Sequence, residues 1–168
     1  MYARMGRTEE GTAGAVEVCT LHRLAGTDEL VLSRWPDADR AAADQAAEWY
    51  EIEDDRPGAD RDARPEVAGL LRFDGPMSEP LHAAALRAGL ERIGPCLTAQ
   101  AGIVRTLALW QPERRRMLAV TLAVSVAALE AGQRAVMSTE LLPGEDPALL
   151  PGPDSVDLYR VMSGAGVR

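Results

Sequence analysis

Along this chain apolar residues gather in short alternating or continuous runs, separated by polar, glycine-bearing turns. Val16-Glu17-Val18-Cys19-Thr20-Leu21 and Leu30-Val31-Leu32-Ser33 read as two strands joined across Gly26-Thr27-Asp28. Val104-Arg105-Thr106-Leu107-Ala108-Leu109 and Leu118-Ala119-Val120-Thr121-Leu122 read as a second pair, joined across Gln111 to Arg116. Short strands with a brief polar connection predict hairpins. After each hairpin stands an acceptor side chain, Asp37 or Ser125, able to take an N–H from the first turn of a helix. Alanine-rich stretches follow, 38–47 and 126–136, and favour helix by intrinsic propensity. An aromatic strand closes each group: Glu48-Trp49-Tyr50-Glu51-Ile52 and Val156-Asp157-Leu158-Tyr159-Arg160-Val161.

These parallels form a repeat. The segment Ala13 to Gln45 lies over Ala101 to Gln133 at a constant shift without a gap. Ala-Gly opens both copies, Leu21 meets Leu109, Leu30 meets Leu118, and Gln45 meets Gln133. The agreement of turns, strands and caps says more than the few identities. The second copy also has a front: a strand Ala68-Gly69-Leu70-Leu71-Arg72-Phe73, then a helix from about Ser78 to Ala99. There Leu86, Leu90, Ile93 and Leu97 make one apolar stripe. Ser78 can cap this helix and Pro80 suits its first turn, whereas Pro95 should kink it. In the first copy too few residues separate Met5 from Ala-Gly for a useful helix, so that helix is expected to be lost.

The order strand, helix, strand, strand, helix, strand is a split βαβ arrangement. The predicted fold class is α+β: ferredoxin-like repeats whose antiparallel sheets pack as one barrel within the chain. Residues 1–54 form a truncated half and 67–168 a complete half. The charged, proline-bearing stretch 55–66 between them is expected as a linker. Proline and glycine punctuation from Leu142 to Ser155 predicts an irregular loop.

At 168 residues the chain suits one compact unit or two small halves sharing a core. No apolar run reaches the roughly 20 residues of a membrane helix. Met1 to Arg7 has no signal-peptide pattern, so a cytoplasmic location is expected. The net charge of −8 disfavours nucleic acid as a partner. Lys and Asn are absent, in keeping with a base-composition bias toward Arg, Ala, Gly and Pro. Cys19 and Cys96 lack a CxxC partner, which argues against zinc and dithiol chemistry. The acidic linker lacks calcium-loop spacing. No GxGxxG, phosphate loop, HExxH or GxSxG is present, so no cofactor is expected.

The run from Pro95 through Ala101-Gly102-Ile103-Val104 and Leu118 to Leu122, on to Ser125 and Ala128-Leu129, resembles the dimeric α/β-barrel proteins of the antibiotic-biosynthesis monooxygenase-like group. The closing Val156 to Val161, the opening Met1-Tyr2-Ala3-Arg4, and Leu32-Ser33-Arg34-Trp35-Pro36-Asp37 carry the same likeness. The resemblance covers most of the chain and its motifs are structural. It implies two units paired into a barrel, usually as a homodimer; a tandem chain could build that barrel alone and still dimerise. In the group's haem-degrading branch a tryptophan at the Trp35 junction faces the pocket, with an asparagine on the first strand and a histidine on the second helix. This chain has no asparagine, and neither second helix holds a histidine, so haem degradation lacks two of its three parts.

Four residues are candidates for chemistry. Trp35 sits at the junction just named, or else is a core aromatic closing the barrel end. His22 and Trp110 occupy equivalent strand ends, where a histidine at a barrel mouth could exchange protons near neutral pH. Arg72, with Tyr50 and Tyr159, could hold a phenolate or carboxylate if it faces inward; strand register alone decides this. His82 shares the stripe of Leu86 and Leu90 and reads as a core-edge residue. Three functions remain open: a cofactor-independent monooxygenase acting on a small aromatic or polyketide-like molecule, a non-catalytic barrel binding a small molecule or partner, and a cyclase or isomerase.

Overall fold

The strands expected from the alternation form, and their pairing is antiparallel throughout. The computed structural model describes residues 1–7, 15–36, 47–150 and 152–165. Strands β1 (Tyr2–Gly6), β2 (Glu17–Arg23), β3 (Glu29–Trp35) and β4 (Glu48–Pro57) precede β5 (Val67–Phe73), β6 (Ile103–Gln111), β7 (Arg116–Ala123) and β8 (Ser155–Ala165). The first four run in the order β4-β1-β3-β2, and the last four in the matching order β8-β5-β7-β6. Pairing of β2 with β8 and of β4 with β6 closes all eight into one barrel. The architecture is α+β, with ferredoxin-like sheets joined into a barrel within a single chain.

Alternation assigns the faces. Met5, Cys19, Leu21, Leu32, Tyr50, Leu70, Leu107, Leu109, Leu118, Val120, Leu122 and Tyr159 meet in one buried cluster inside the barrel. A fully buried leucine such as Leu21 or Leu109 contributes roughly 2 kcal/mol of apolar transfer. A second cluster of Val67, Ile103, Ala123 and Ala128 lies on the outer face, against α3 (Val126–Ser138).

Both predicted serine caps form. Ser78 Oγ accepts from Leu81 N at 3.3 Å, and Ser125 Oγ accepts from Ala128 N at 3.2 Å. The long helix divides as Pro95 requires: α1 (Glu79–Ala88), a π turn (Gly89–Ile93) and α2 (Gly94–Thr98). Pro95 has no N–H for the carbonyl four residues back and its ring crowds that carbonyl. The helix widens just before it, and Gly94 N–H reaches Gly89 O instead. The loop after α3 contains one 3-10 turn, Pro147–Leu149, and is tied to the helix by Arg92 on Glu145 at 2.9 Å. No helix among the described residues is long and apolar enough to cross a membrane.

The helix expected after Asp37 and the short segment before Ala15 fall largely outside the described residues. One stretch departs from expectation. Residues 55–57, assigned to the linker for their charge, continue β4. Asp55 pairs with Leu107 and Arg56 with Thr106, so these charges belong to the closing seam. The linker that remains is fastened to the second half. Gly58 N donates to Val104 O at 2.8 Å, Asp60 N to Ile103 O at 3.0 Å, and the Asp60 carboxylate takes Gly102 N. Gly102 adopts φ 83°, open to glycine at little cost.

Gly58 is the tightest point of this fastening: a Cβ there would stand 2.0 Å from the carbonyl oxygen of Ile103. Gly58→Ala should cost about 2–3 kcal/mol, as overpacking against fixed backbone does. Urea unfolding would read this as a lower midpoint with an unchanged slope.

Candidate functional site

The barrel interior is apolar at its middle and ionic at its ends. At one mouth four side chains from four strands form a closed cluster: Glu17 on β2, Arg34 on β3, Asp55 on β4 and Arg105 on β6. Arg34 donates from Nη1 to Glu17 at 2.5 Å and from Nη2 to Asp55 at 2.8 Å. Arg105 grips Asp55 with two parallel bonds, Nε at 2.6 Å and Nη2 at 2.7 Å, and reaches Glu17 with Nη1 at 2.9 Å. Burial works against the Arg105 charge, but the Asp55 hydrogen bonds and the fields of Glu17 and Asp55 outweigh it and hold the guanidinium above its usual value. The cluster is neutral overall, which is how so many charges tolerate a barrel lumen.

Over this cluster opens a cleft of about 320 Å³. Pro57 is the exposed apolar side of the cleft, over the nearly buried Val104 and Leu122; Asp55 and Arg105 form the base, and Arg61 and Asp62 stand on the rim. Deeper, between Cys19, Leu32, Leu107 and the cluster, only about 10 Å³ is free, room for no more than a water.

At the opposite mouth Tyr50 donates to Glu48 at 3.0 Å, and Arg72 stands 3.9 Å from Glu48 and 3.7 Å from Asp157. Arg23 also reaches Asp157, and Arg114 reaches Glu48 at 3.3 Å. Burial raises the Tyr50 phenol above its ordinary value, and the Glu48 charge and hydrogen bond push the same way against Arg72 and Arg116.

The four residues singled out from sequence do not converge. His22 is half in water at the end of β2, on the outward side, and pairs with Glu29 at 2.9 Å. Trp35, only 2 % exposed, lies on the outer face of β3; its Nε1 donates to Ser33 at 3.0 Å and its ring meets Trp49 edge-on at 6.4 Å. Arg72 does point inward, at the mouth remote from the cleft. Trp110 lies on the outer face of β6 under α1, stacked on His82 at 3.7 Å and 12°. His82 also bonds Glu53 at 3.0 Å. Glu53 is the extra residue where the β4–β6 register shifts, so a bulge aims it outward at the helix. Among the described residues no group of three or more His, Cys, Asp or Glu is arranged to hold a metal.

Sequence reading missed the Glu17–Arg34–Asp55–Arg105 cluster. A signal was present: a single charge inside each of two apolar strands, Glu17 between Val16 and Val18 and Arg105 after Val104. A lone ionic residue in such a run wants a buried partner.

Neither a protein-family model nor a curated protein matches the chain. Solved structures do. An anthrone oxidase-like protein superposes with TM-score 0.58 at 11% identity, over 98% of this chain and 91% of its own. A ferredoxin-fold protein from Listeria monocytogenes 4b F2365, related to antibiotic biosynthesis monooxygenases, gives 0.62 at 9%, over 97% and 95%. The fold is that of the antibiotic-biosynthesis monooxygenase-like barrels. A heme-degrading enzyme from Listeria monocytogenes shares it at TM-score 0.58 and 10% identity, over 95% of this chain and 99% of its own. Identities this low carry the fold and not the chemistry.

Two outcomes follow for the cluster and the lumen. Arg105→Ala leaves Asp55 and Glu17 short of a cation and should cost about 2–3 kcal/mol, somewhat below a fully buried pair; His22→Ala at the surface should cost less than about 0.5 kcal/mol. Urea titration of both variants distinguishes them. Cys19, buried beside Glu17, has its thiol pushed up from 9.0 to about 12, burial being the larger cause. The folded state thus keeps a proton that the unfolded chain releases above pH 9, so this contribution is intact below pH 9 and is lost as pH rises toward 12. Cys19→Ala should flatten the fall of stability between pH 9 and 11, measured by urea unfolding across that range.

Proposed function

We propose that this chain is a small-molecule-binding barrel and that its ligand, a compact and partly aromatic molecule, sits in the cleft above Arg105. The observation that carries the reading is the cleft itself: an exposed Pro57 over the nearly buried Val104 and Leu122, beneath a charged rim, at the low end of ligand-pocket size. Its base is held rigid by the ionic cluster. The lining residues come from the end of β4 and the turn after it, Asp55 to Asp62, and from β6 and β7, Val104, Arg105 and Leu122, so a ligand here would lie across the β4–β6 seam. As part of the same reading, residues 1–54 and 67–168 are two repeats of one unit. The matching strand orders support that duplication.

A second reading, cofactor-independent oxygenation of an electron-rich phenol, is favoured by the likeness to an anthrone oxidase-like protein. It asks more of the site. A phenol must lose its proton before it reacts with oxygen. Yet Asp55 is committed to two guanidinium groups and neither histidine lines the cleft.

A thermal-shift screen against phenols, anthrones and haem, followed by amide chemical shifts, tests both readings. The binding reading expects a hit that moves the amides of Val104, Arg105 and Leu122; hits that move only residues elsewhere, or none at all, would sink it. Oxygen uptake in the presence of a hit establishes the oxygenase reading, and binding without uptake removes it.

A further inference from the structure

The charges around the cleft are of two kinds, and the difference constrains the ligand. Asp55 and Arg105 at the base satisfy each other. Arg105 gives Nε and Nη2 to Asp55 and Nη1 to Glu17, and Asp55 takes Arg34 as well. Arg61 and Asp62 on the rim are different. Their one described ion pair is with each other, at 4.0 Å, and their side chains are 68% and 96% exposed. A positive and a negative group thus stand side by side, each facing mainly water, above the exposed Pro57.

A simple anion drawn to Arg61 meets Asp62, and a simple cation drawn to Asp62 meets Arg61. A molecule with one charge of each sign a short distance apart satisfies both. The rim is also preorganised. Gly58 N, Asp60 N and the Asp60 carboxylate fasten the turn to β6 and to Gly102, and Ala63 N closes it on Asp60 O at 2.9 Å. The turn's backbone is fixed before binding, so only the Arg61 and Asp62 side chains lose freedom when a ligand arrives.

Resting on the binding reading above, we propose that the cleft takes a zwitterionic α-amino acid with an aromatic side chain. Its carboxylate lies on Arg61, its ammonium on Asp62, and its ring on Pro57, over the edges of Val104 and Leu122. The affinity is weak, as rim charges in water dictate, and it falls with added salt.

The test uses four probes on the full chain, read by amide shifts of Val104, Arg105 and Leu122: L-phenylalanine, 3-phenylpropanoate, 2-phenylethylamine and glycine. Phenylalanine should bind about fivefold tighter than either single-charge analogue, and glycine should not saturate. Arg61→Gln should bring phenylalanine down to the level of 2-phenylethylamine, and Asp62→Asn to that of 3-phenylpropanoate. Both residues are exposed, so these variants keep the fold. Equal binding of either single-charge analogue overturns the proposal. So does silence from all four probes while a phenol or anthrone still moves the cleft amides, which leaves the binding reading standing. If no compound of any class moves those amides, both fall together.

Discussion

Everything in this molecule depends on closing two four-stranded sheets along two seams. Each sheet alone would expose an apolar face and two strand edges, the arrangement that draws other chains into pairing. Joining β4 to β6 and β2 to β8 removes all four edges at once and turns both apolar faces into one core. The helices that cover the outer face of β5 to β8 then need only modest contacts. Their stability is borrowed from a sheet that is already complete, which is why a helix broken by Pro95 is tolerated.

Closure has an electrostatic consequence. A barrel of eight strands can be filled by side chains or hold one small ligand, and here apolar side chains pack its middle. Charged residues on inward positions near the mouths must then satisfy one another. Glu17, Arg34 and Asp55 from three strands of the first half find their missing partner in Arg105 of the second. At the opposite mouth Arg72 stands 3.7 and 3.9 Å from its carboxylates, while Arg23 holds Asp157 and Tyr50 and Arg114 hold Glu48.

Strands, hairpins and serine caps were legible because each depends on local chemistry: alternation, a polar turn, a hydroxyl before a helix. Even the break at Pro95 could be read from one residue. The inward or outward sense of a side chain could not, because it depends on bulges. The β4–β6 register shifts between Ile52 and Asp54 and the β6–β7 register between Ile103 and Arg105. One extra residue reverses the parity of everything after it. The bulge in β4 leaves Glu53 facing out to His82 and sends Asp55, in place of Asp54, in to Arg105. Trp110 fell on the outer face for the same reason of parity, whereas Arg72 fell inside. The charge of Asp55 looked like solvated linker because sequence distance hides its partners, Arg34 two strands away in the same sheet and Arg105 across the seam.

The filled lumen also ranks the functional readings. Oxygen chemistry without a cofactor needs a substrate anion held out of water and a base to make it. The space between Cys19, Leu32, Leu107 and the cluster has room for a water, and the carboxylate nearest the cleft floor is already neutralised by two guanidinium groups. The pair most like an acid–base dyad, His82 on Glu53, lies outside the barrel with its ring flat against Trp110. It pins α1 to the sheet, a task that stacking and a carboxylate bond explain fully. Binding at the mouth asks for less: an exposed Pro57, a fastened turn, and Arg61 and Asp62 standing in water. A fold shared with an anthrone oxidase-like protein thus carries, at one mouth, a cleft whose floor carboxylate is held by two guanidinium groups while its rim carboxylate faces solvent.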